Sequence, residues 1–140
     1  MIVETIAVGI TFLRTPVSVW DGDGPVWCEE GPRVRLHAIA AREIDETCRS
    51  NHPCPETSGV EAHDQLVSLI GQPTGRSRHG HVLVSGPVLI CRSYGSAGGA
   101  RVDARCISPS VGDVGCRMVR DGYAVEWSRY GDACDGEGVE

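Results

Sequence analysis

The stretch VRLHAIAARE, residues 34–43, alternates apolar and polar side chains before it ends on an arginine and a glutamate. Val34 and Leu36 fall on one face of a strand and Arg35 on the other, because strand side chains alternate with a period of two. We therefore predict a strand over Arg33–Ala40 whose arginines lie on the face opposite the core. The charged residues at its exit are candidates for a functional site.

Charge and composition limit what the rest of the chain can do. The sequence has 140 residues, which predicts one domain, and its 18 glycines and 8 prolines favour short strands and turns. The formal net charge is −6, and all 13 basic residues are arginine. An acidic chain is a poor non-specific binder of nucleic acid, because phosphate contacts need a basic surface. A local arginine cluster can still form a small anion site.

Turn residues divide the chain before this strand, and a long loop follows it. The sequences DGDG and EEGP separate two earlier strands, predicted over Val17–Asp21 and Val26–Glu29. Residues 2–13 are rich in Val, Ile and Thr and predict an extra strand. Residues 42–57 are predicted as a loop.

Two helices and two more strands follow the loop. Ser58 and Glu61 have the spacing of a capping box, and Gly71 fits the position after a helix C-terminus. Asp113 and Gly122 bound a second, shorter helix in the same way. The remaining segments are a basic loop GQPTGRSRHGH, strands in HVLVSGPVLICRSY and ARVDARCIS, and an extended segment YAVEWSRY. This order predicts a mainly β (α+β) chain, a five-stranded OB-type β-barrel with two short helices.

The chain divides into three segments. Residues 1–15 are predicted as an N-terminal extension, residues 16–130 as the OB-type domain and residues 131–140 as an acidic, flexible tail. The apolar start is too short to span a membrane and lacks the basic residues of a signal peptide. We expect no membrane insertion and a monomer.

Seven cysteines in 140 residues indicate disulfides and an oxidising compartment, either secreted or periplasmic. Cys48 and Cys54 enclose a short loop that a disulfide would fix. Cys91 and Cys106 lie near the centres of two predicted strands and would face each other if those strands pair. We predict both disulfides.

A third disulfide is less determined by the sequence. Cys28 and Cys116 are one candidate pair, and this pairing leaves Cys134 in the predicted tail unpaired. Spacing alone does not decide between the alternative connectivities. No CxxC pair is present that would favour a zinc ribbon or a thioredoxin-type site.

Four segments occur in a fixed order along the chain: VWDGDG at 19–24, RVRLHAIAARE at 33–43, YG at 94–95 and DVGCRMVRDGYA at 113–124. This series resembles the staphylococcal-nuclease-like (thermonuclease) family, whose patterns are DGDT, RLxxIDxPE, YGR and a helix followed by glycine and alanine. The resemblance extends from about Val17 to Trp127 and keeps the spacing from the strand arginine to the glutamate.

The resemblance implies an OB barrel that hydrolyses phosphodiester bonds of DNA and RNA with Ca²⁺. Under it, Asp23 is a metal ligand and Arg35 holds a phosphate oxygen. Glu43 would orient or deprotonate the attacking water, and Arg101 is the candidate second arginine. Without the resemblance, an arginine and a glutamate at a strand end predict a structural ion pair.

Aromatic residues are candidates for contacts to the nucleotide. The resemblance places Tyr94 and Trp127 at that pocket, where an aromatic ring can stack on a base. Under the same resemblance, Tyr130, like Trp127, lies where the family has aromatic residues near its nucleotide pocket. Packing in the core or on the surface is the alternative role for these rings.

Departures from the family pattern concentrate in the expected metal site. Ala40 replaces an aspartate ligand, Gly24 replaces a threonine and Arg42 replaces a proline beside the cation position. The insertion SAGGA separates YG from Arg101. Because Ca²⁺ takes six to eight oxygen ligands, several of them anionic, the loss of one carboxylate predicts weak or absent binding.

Two functions stay open. The first is a nuclease with a degraded metal site, weak or no activity, and nucleic acid as its partner. The second is a catalytically inactive OB-type module that binds a protein or a nucleotide ligand. The basic loop with Arg76, Arg78, His79 and His81 either contacts an anionic partner or is solvated.

Overall fold

The computed structural model describes residues 6–134. Within that range the chain is mainly β with two α-helices, which confirms the predicted α+β class. The strands are β1 Thr11–Arg14, β2 Pro16–Asp21, β3 Gly24–Cys28, β4 Gly31–Leu36, β5 Ile39–Ala40, β6 Gln72–Arg76, β7 Val82–Ser85, β8 Leu89–Ser96, β9 Arg101–Ser108, β10 Gly112–Asp113 and β11 Val125–Glu126. The helices are α1 Gly59–Ile70 and α2 Val114–Arg120, and a 3-10 turn covers Ser128–Tyr130.

One mixed sheet organises the fold. Its strands follow the order β1-β8-β9-β4-β3-β2-β7-β6 as an open path, and β10 pairs with β9. The contact between β4 and β9 is parallel, with Arg33 opposite Arg101 and Arg35 opposite Asp103. The other pairings in this sheet are antiparallel. The parallel contact therefore brings the arginine strand and the last long strand side by side.

The core lies between the sheet and the two helices, α1 and α2. Val34 and Leu36 are buried while Arg33 and Arg35 are half-buried, so the predicted alternation is confirmed. The predicted strand is interrupted at Ala38, whose φ is 59°. A bend at this position separates β4 from β5 and turns the chain toward the functional residues.

Helix α1 begins as the sequence predicts but is capped partly by a distant residue. The Ser58 hydroxyl accepts a hydrogen bond from the Glu61 N–H at 3.1 Å. Glu46, from the preceding loop, accepts from the Gly59 and Val60 N–H groups at 2.8 and 3.3 Å. A carboxylate at a helix N-terminus is also favoured by the helix dipole.

The C-terminal end of helix α1 differs from the sequence-based prediction. Gly71 has an extended φ of 171° and not the left-handed conformation typical of a C′ glycine. A Cβ there would lie 2.4 Å from the Ser85 carbonyl oxygen, so close packing explains the glycine. Helix α2 follows the prediction: Asp113 accepts from the Cys116 N–H, and Gly122 has a φ of 83°.

Several predicted loops and strands are corrected. The N-terminal strand covers Thr11–Arg14, and residues 1–5 lie outside the described part of the chain. The predicted basic loop contains β6, which pairs with β7. The strand expected in HVLVSGPVLICRSY is divided between β7 and β8. In YAVEWSRY only Val125–Glu126 is a strand, and a 3-10 turn follows.

Three disulfides are present, which is typical of an oxidising environment. Cys48–Cys54 and Cys91–Cys106 are bonded, as predicted. The proposed third pair, Cys28–Cys116, is wrong because Cys116 is bonded to Cys134. Burial raises the pKa of the remaining Cys28 thiol to about 12, so this thiol stays protonated.

The chain after the 3-10 turn folds back onto the domain. Ala133 is buried, and its carbonyl accepts a hydrogen bond from the Arg105 guanidinium at 2.7 Å. The predicted flexible tail, residues 131–140, is therefore wrong for residues 131–134, and residues 135–140 lie outside the described range. Among the described residues, neither helix is long and apolar enough to span a membrane.

Candidate functional site

Two aspartates of the DGDG turn hold the exit of the arginine strand. The Asp23 carboxylate accepts a hydrogen bond from the Ala41 N–H at 2.9 Å. The Asp21 carboxylate accepts from the Ile44 N–H at 2.7 Å. These bonds hold residues 41–44 against the DGDG turn, and capping of backbone N–H groups is a role that aspartate ordinarily has in turns.

Gly24 closes this turn for a steric reason. Its φ is 103°, a conformation that side chains with a Cβ rarely adopt. A Cβ there would lie 2.8 Å from the Val34 carbonyl oxygen. Glycine, and not the threonine that the sequence resemblance would place there, is therefore required at position 24 by the backbone of this chain.

Arg35 is fixed by the strand it belongs to. Its Nη1 donates to the Leu36 carbonyl at 2.7 Å, and its Nη2 donates to the Ile39 carbonyl at 2.9 Å. The same Nη2 lies 3.7 Å from the Asp23 carboxylate. An arginine has five N–H donors, so these bonds orient the guanidinium without saturating it.

Asp21 and Glu43 form an acidic pair at the strand exit. Burial first, and then the negative charges of Glu43 and Asp23, raise the pKa of Asp21 to about 7. Asp21 is therefore about half protonated at neutral pH. Glu43 also lies 3.7 Å from Nε of Arg49, so the pair is partly neutralised.

Arg42 does not occupy the acidic site that its sequence position suggests. Its Nε and Nη2 donate to the Pro55 carbonyl at 3.1 and 2.7 Å, and its Nη1 donates to the Glu46 carbonyl at 2.9 Å. The side chain therefore braces the loop of residues 42–57. This loop carries Arg49 and His52, and the Cys48–Cys54 disulfide closes it.

A cleft of about 370 Å³ opens between this loop, strand β9 and the 3-10 turn. Its basic residues are Arg35, Arg49 and Arg101. The other lining residues are Leu36, Ala38, His52, Ser96, Ala97, Asp103, Trp127 and Tyr130. Of the site residues predicted from the sequence, Arg35, Arg101, Trp127 and Tyr130 are brought together here. Asp23, Glu43 and Tyr94 do not line the cleft.

Positive charge gathers around Arg101. Its Nη2 donates to the Ala97 carbonyl at 2.6 Å, and its Nε donates to the Gly98 carbonyl at 3.3 Å. Burial lowers the pKa of Arg101, as do the neighbouring arginines, Arg35 and Arg33 foremost. The SAGGA insertion is thus the turn that presents this arginine to the cleft.

Aromatic rings form one wall of the cleft. The Trp127 ring lies 4.4 Å from the His52 ring and 4.9 Å from the Tyr130 ring, measured between centroids. The backbone N–H of Trp127 donates to the Ala38 carbonyl at 2.7 Å. This hydrogen bond connects the aromatic wall to the bend after β4. The Arg35 guanidinium carbon lies 6.0 Å from the Trp127 centroid.

Tyr94 lies beside the cleft and serves a different contact. Its ring stacks on His37 with centroids 3.6 Å apart and an angle of 3° between the planes. Nδ1 of His37 lies 3.1 Å from both carboxylate oxygens of Asp103. The stacked His37 ring therefore fixes the position of Asp103, the acidic residue in the cleft wall.

Sequence reasoning missed Arg49 and His52 as members of the site. Both lie in a loop whose path depends on the Cys48–Cys54 disulfide and on the bonds made by Arg42. The sequence signal was a basic residue and an aromatic one within a short disulfide loop after the arginine strand.

The residues at the strand exit do not fit a preformed Ca²⁺ site. One oxygen of Asp23 accepts the Ala41 N–H and lies 3.7 Å from Arg35, and Asp21 is about half protonated at neutral pH. Among residues 6–134, no group of three or more His, Cys, Asp or Glu side chains is placed to hold a metal ion. Ca²⁺ prefers several anionic oxygens at once, which this arrangement does not present.

Comparisons of the chain with models of known families, with curated proteins and with solved structures find no match. The family resemblance of the four sequence segments stays a prediction. The geometry of the cleft therefore provides the basis for a functional proposal.

Proposed function

We propose that the protein is a nucleotide-binding module, with the phosphate held by the cleft arginines and the base stacked on Trp127. One observation carries the proposal: Arg35, Arg49 and Arg101 share a single cleft with Trp127 and Tyr130. Guanidinium groups bind phosphate oxygens with charge-assisted hydrogen bonds, and aromatic rings accept any base by stacking.

The charge of the cleft supports phosphate binding, although the chain as a whole is acidic. The chain carries a net charge of −6, yet three arginines and one acid, Asp103, line the cleft. The site would therefore select an anion by a small cluster and not by a basic surface. Phosphate-bearing ligands with a planar group suit both halves of the cleft.

The proposed framework is an OB-type barrel of the staphylococcal-nuclease-like kind in a secreted or periplasmic protein. Three consecutive strands, β2 to β4, are followed by helix α1 and the long hairpin β8–β9, which supports that order. The OB fold is a partly open barrel, and an open strand path is compatible with it. Three disulfides support the compartment.

Binding of a mononucleotide tests the proposal directly. Thymidine 5′-monophosphate, thymidine and inorganic phosphate would be titrated separately, with tryptophan fluorescence and calorimetry as readouts. We expect the nucleotide to bind more tightly than either fragment and Trp127→Leu to remove the advantage that the base contributes. The absence of saturable nucleotide binding to the folded wild-type protein would refute the proposal.

A second candidate function is nuclease activity, favoured by the close approach of Asp21, Asp23 and Glu43. Ca²⁺ is required only by this nuclease candidate, although the carboxylates at the strand exit do not form a preformed site for it. A cleavage assay with single-stranded and plasmid DNA, in Ca²⁺, Mg²⁺ or Mn²⁺ and with an EDTA control, tests it. Metal-dependent cleavage that disappears in Glu43→Ala supports it, and no cleavage with any of these ions eliminates it.

A Ca²⁺ titration of the melting temperature gives an independent readout. A ligand that binds only the native state raises the melting temperature with its concentration. A rise that is lost in Asp23→Asn would favour the nuclease candidate. A Ca²⁺-independent melting temperature together with nucleotide binding favours the binding module.

A further inference from the structure

A second aromatic cluster lies outside the cleft, on strands β2 and β3 and the loop before β7. The His81 ring lies 4.7 Å from Trp20 and 4.4 Å from Trp27, centroid to centroid. Trp20 is 38% exposed, so part of its ring is accessible from solvent. Burial, and then the charges of His79 and Arg33, lower the pKa of His81 and favour its neutral form.

Arg33 joins this cluster to the cleft. Its guanidinium carbon lies 5.0 Å from the centroid of the Trp27 ring. On the other side, Arg33 is in register with Arg101 across the parallel β4–β9 contact and lowers the pKa of that arginine. Rings and arginines therefore follow one another across strands β2, β3, β4 and β9, from Trp20 to Arg101 at the cleft.

We propose that Trp20, Trp27 and His81 form a second base-stacking subsite for single-stranded nucleic acid that also occupies the cleft. The inference rests on the proposed function and extends it from a nucleotide to a strand. Single-strand binders combine a basic path for the backbone with aromatic rings for successive bases. Arg33 supplies the positive charge between the two aromatic surfaces, and this favours nucleic acid over a protein partner.

Ligand length and one exposed tryptophan test the inference. The two probes are a dinucleotide, which fills only the cleft, and an oligothymidylate of about 8 nucleotides, within the range of one OB fold. Trp20→Ala is expected to weaken binding of the longer probe about 5- to 150-fold, the effect of one lost stacking contact. Its affinity for the dinucleotide should stay unchanged.

Controls separate stacking from unfolding. Leu13→Ala removes another exposed apolar side chain from the distant strand β1 and should bind both probes like the wild type. His81→Ala gives a second test if Trp20→Ala does not fold. In Trp127→Phe protein, the longer probe should quench the fluorescence of Trp20 and Trp27.

Each outcome decides a different claim. If Trp20→Ala and His81→Ala bind the longer probe like the wild type, the second subsite is overturned and the cleft proposal stands. If neither probe binds wild-type protein, the proposed function fails and the inference fails with it. Loss of a self-association in Trp20→Ala, seen by sedimentation, would make the cluster a protein interface and overturn the inference.

Discussion

Replacement of Arg101 by alanine tests the cleft most directly. The side chain is anchored to the Ala97 and Gly98 carbonyls, and it lies among other arginines. A hydrogen bond to a charged group is worth about 1.5–3 kcal/mol, so Arg101→Ala should raise the Kd for an oligothymidylate about 10- to 150-fold. The fold should survive, because relief of repulsion between arginines offsets part of the two lost hairpin bonds.

Salt dependence makes the test specific for phosphate. Each phosphate contact to a single strand contributes about −0.7 to the slope of log K against log salt concentration. The slope for Arg101→Ala should therefore be shallower by about 0.7 than that of the wild type. Fluorescence anisotropy of a labelled oligothymidylate at several NaCl concentrations gives both quantities.

Arg120→Ala is the matched control, because it removes the same charge from an exposed position on helix α2. It should change neither the affinity nor the slope by the amount that Arg101→Ala does. Equal losses in both variants would show a general charge effect. An unchanged slope in Arg101→Ala would refute the assignment of this arginine to a phosphate.

Three further predictions concern the framework of the site. Because the pKa of Asp21 is raised from 3.8 to about 7, its contribution to stability is complete below pH 3.8 and is lost as the pH rises through about 7. Asp21→Asn, which retains an acceptor for the Ile44 N–H, should flatten that fall in melting temperature; an unaltered pH profile in EDTA would contradict the raised pKa of Asp21. Gly24→Thr should lower the free energy of unfolding by about 1–3 kcal/mol, measured by urea denaturation, because of its positive φ and its approach to a carbonyl oxygen; equal stability would contradict this account. Replacement of Cys48 and Cys54 by serine should cost about 2 kcal/mol from loop entropy and also weaken nucleotide binding, and unchanged binding would remove the loop from the site.

Local patterns explain the parts of the fold that could be predicted. The alternation around Arg35, the Ser58 cap and the Asp113 cap depend on residues a few positions apart. The Cys91–Cys106 disulfide followed from the pairing of two strands joined by a short turn. In each case, the interaction is set by a geometric period or by a nearby partner.

Contacts between distant parts of the chain explain what could not be predicted. Cys134 reaches Cys116 because Arg105 holds the carbonyls of residues 132 and 133 over helix α2. Glu46 caps helix α1 because the preceding loop folds back onto it. Neither path has a sequence period, so the spacing of the residues carries no signal for it.

The arginine strand, the carboxylates at its exit and the aromatic residues near the C-terminal end of the chain are all visible in the sequence. Which of these residues share a site depends on the folded arrangement. The parallel contact of β4 with β9 places Arg101 beside Arg35, and the disulfide loop adds Arg49 and His52. The same packing commits Asp23 to the Ala41 N–H and to Arg35. The cleft forms from segments that are far apart along the chain. Which residues line it depends on the strand register and on the path of the disulfide loop, and no single segment contains that information.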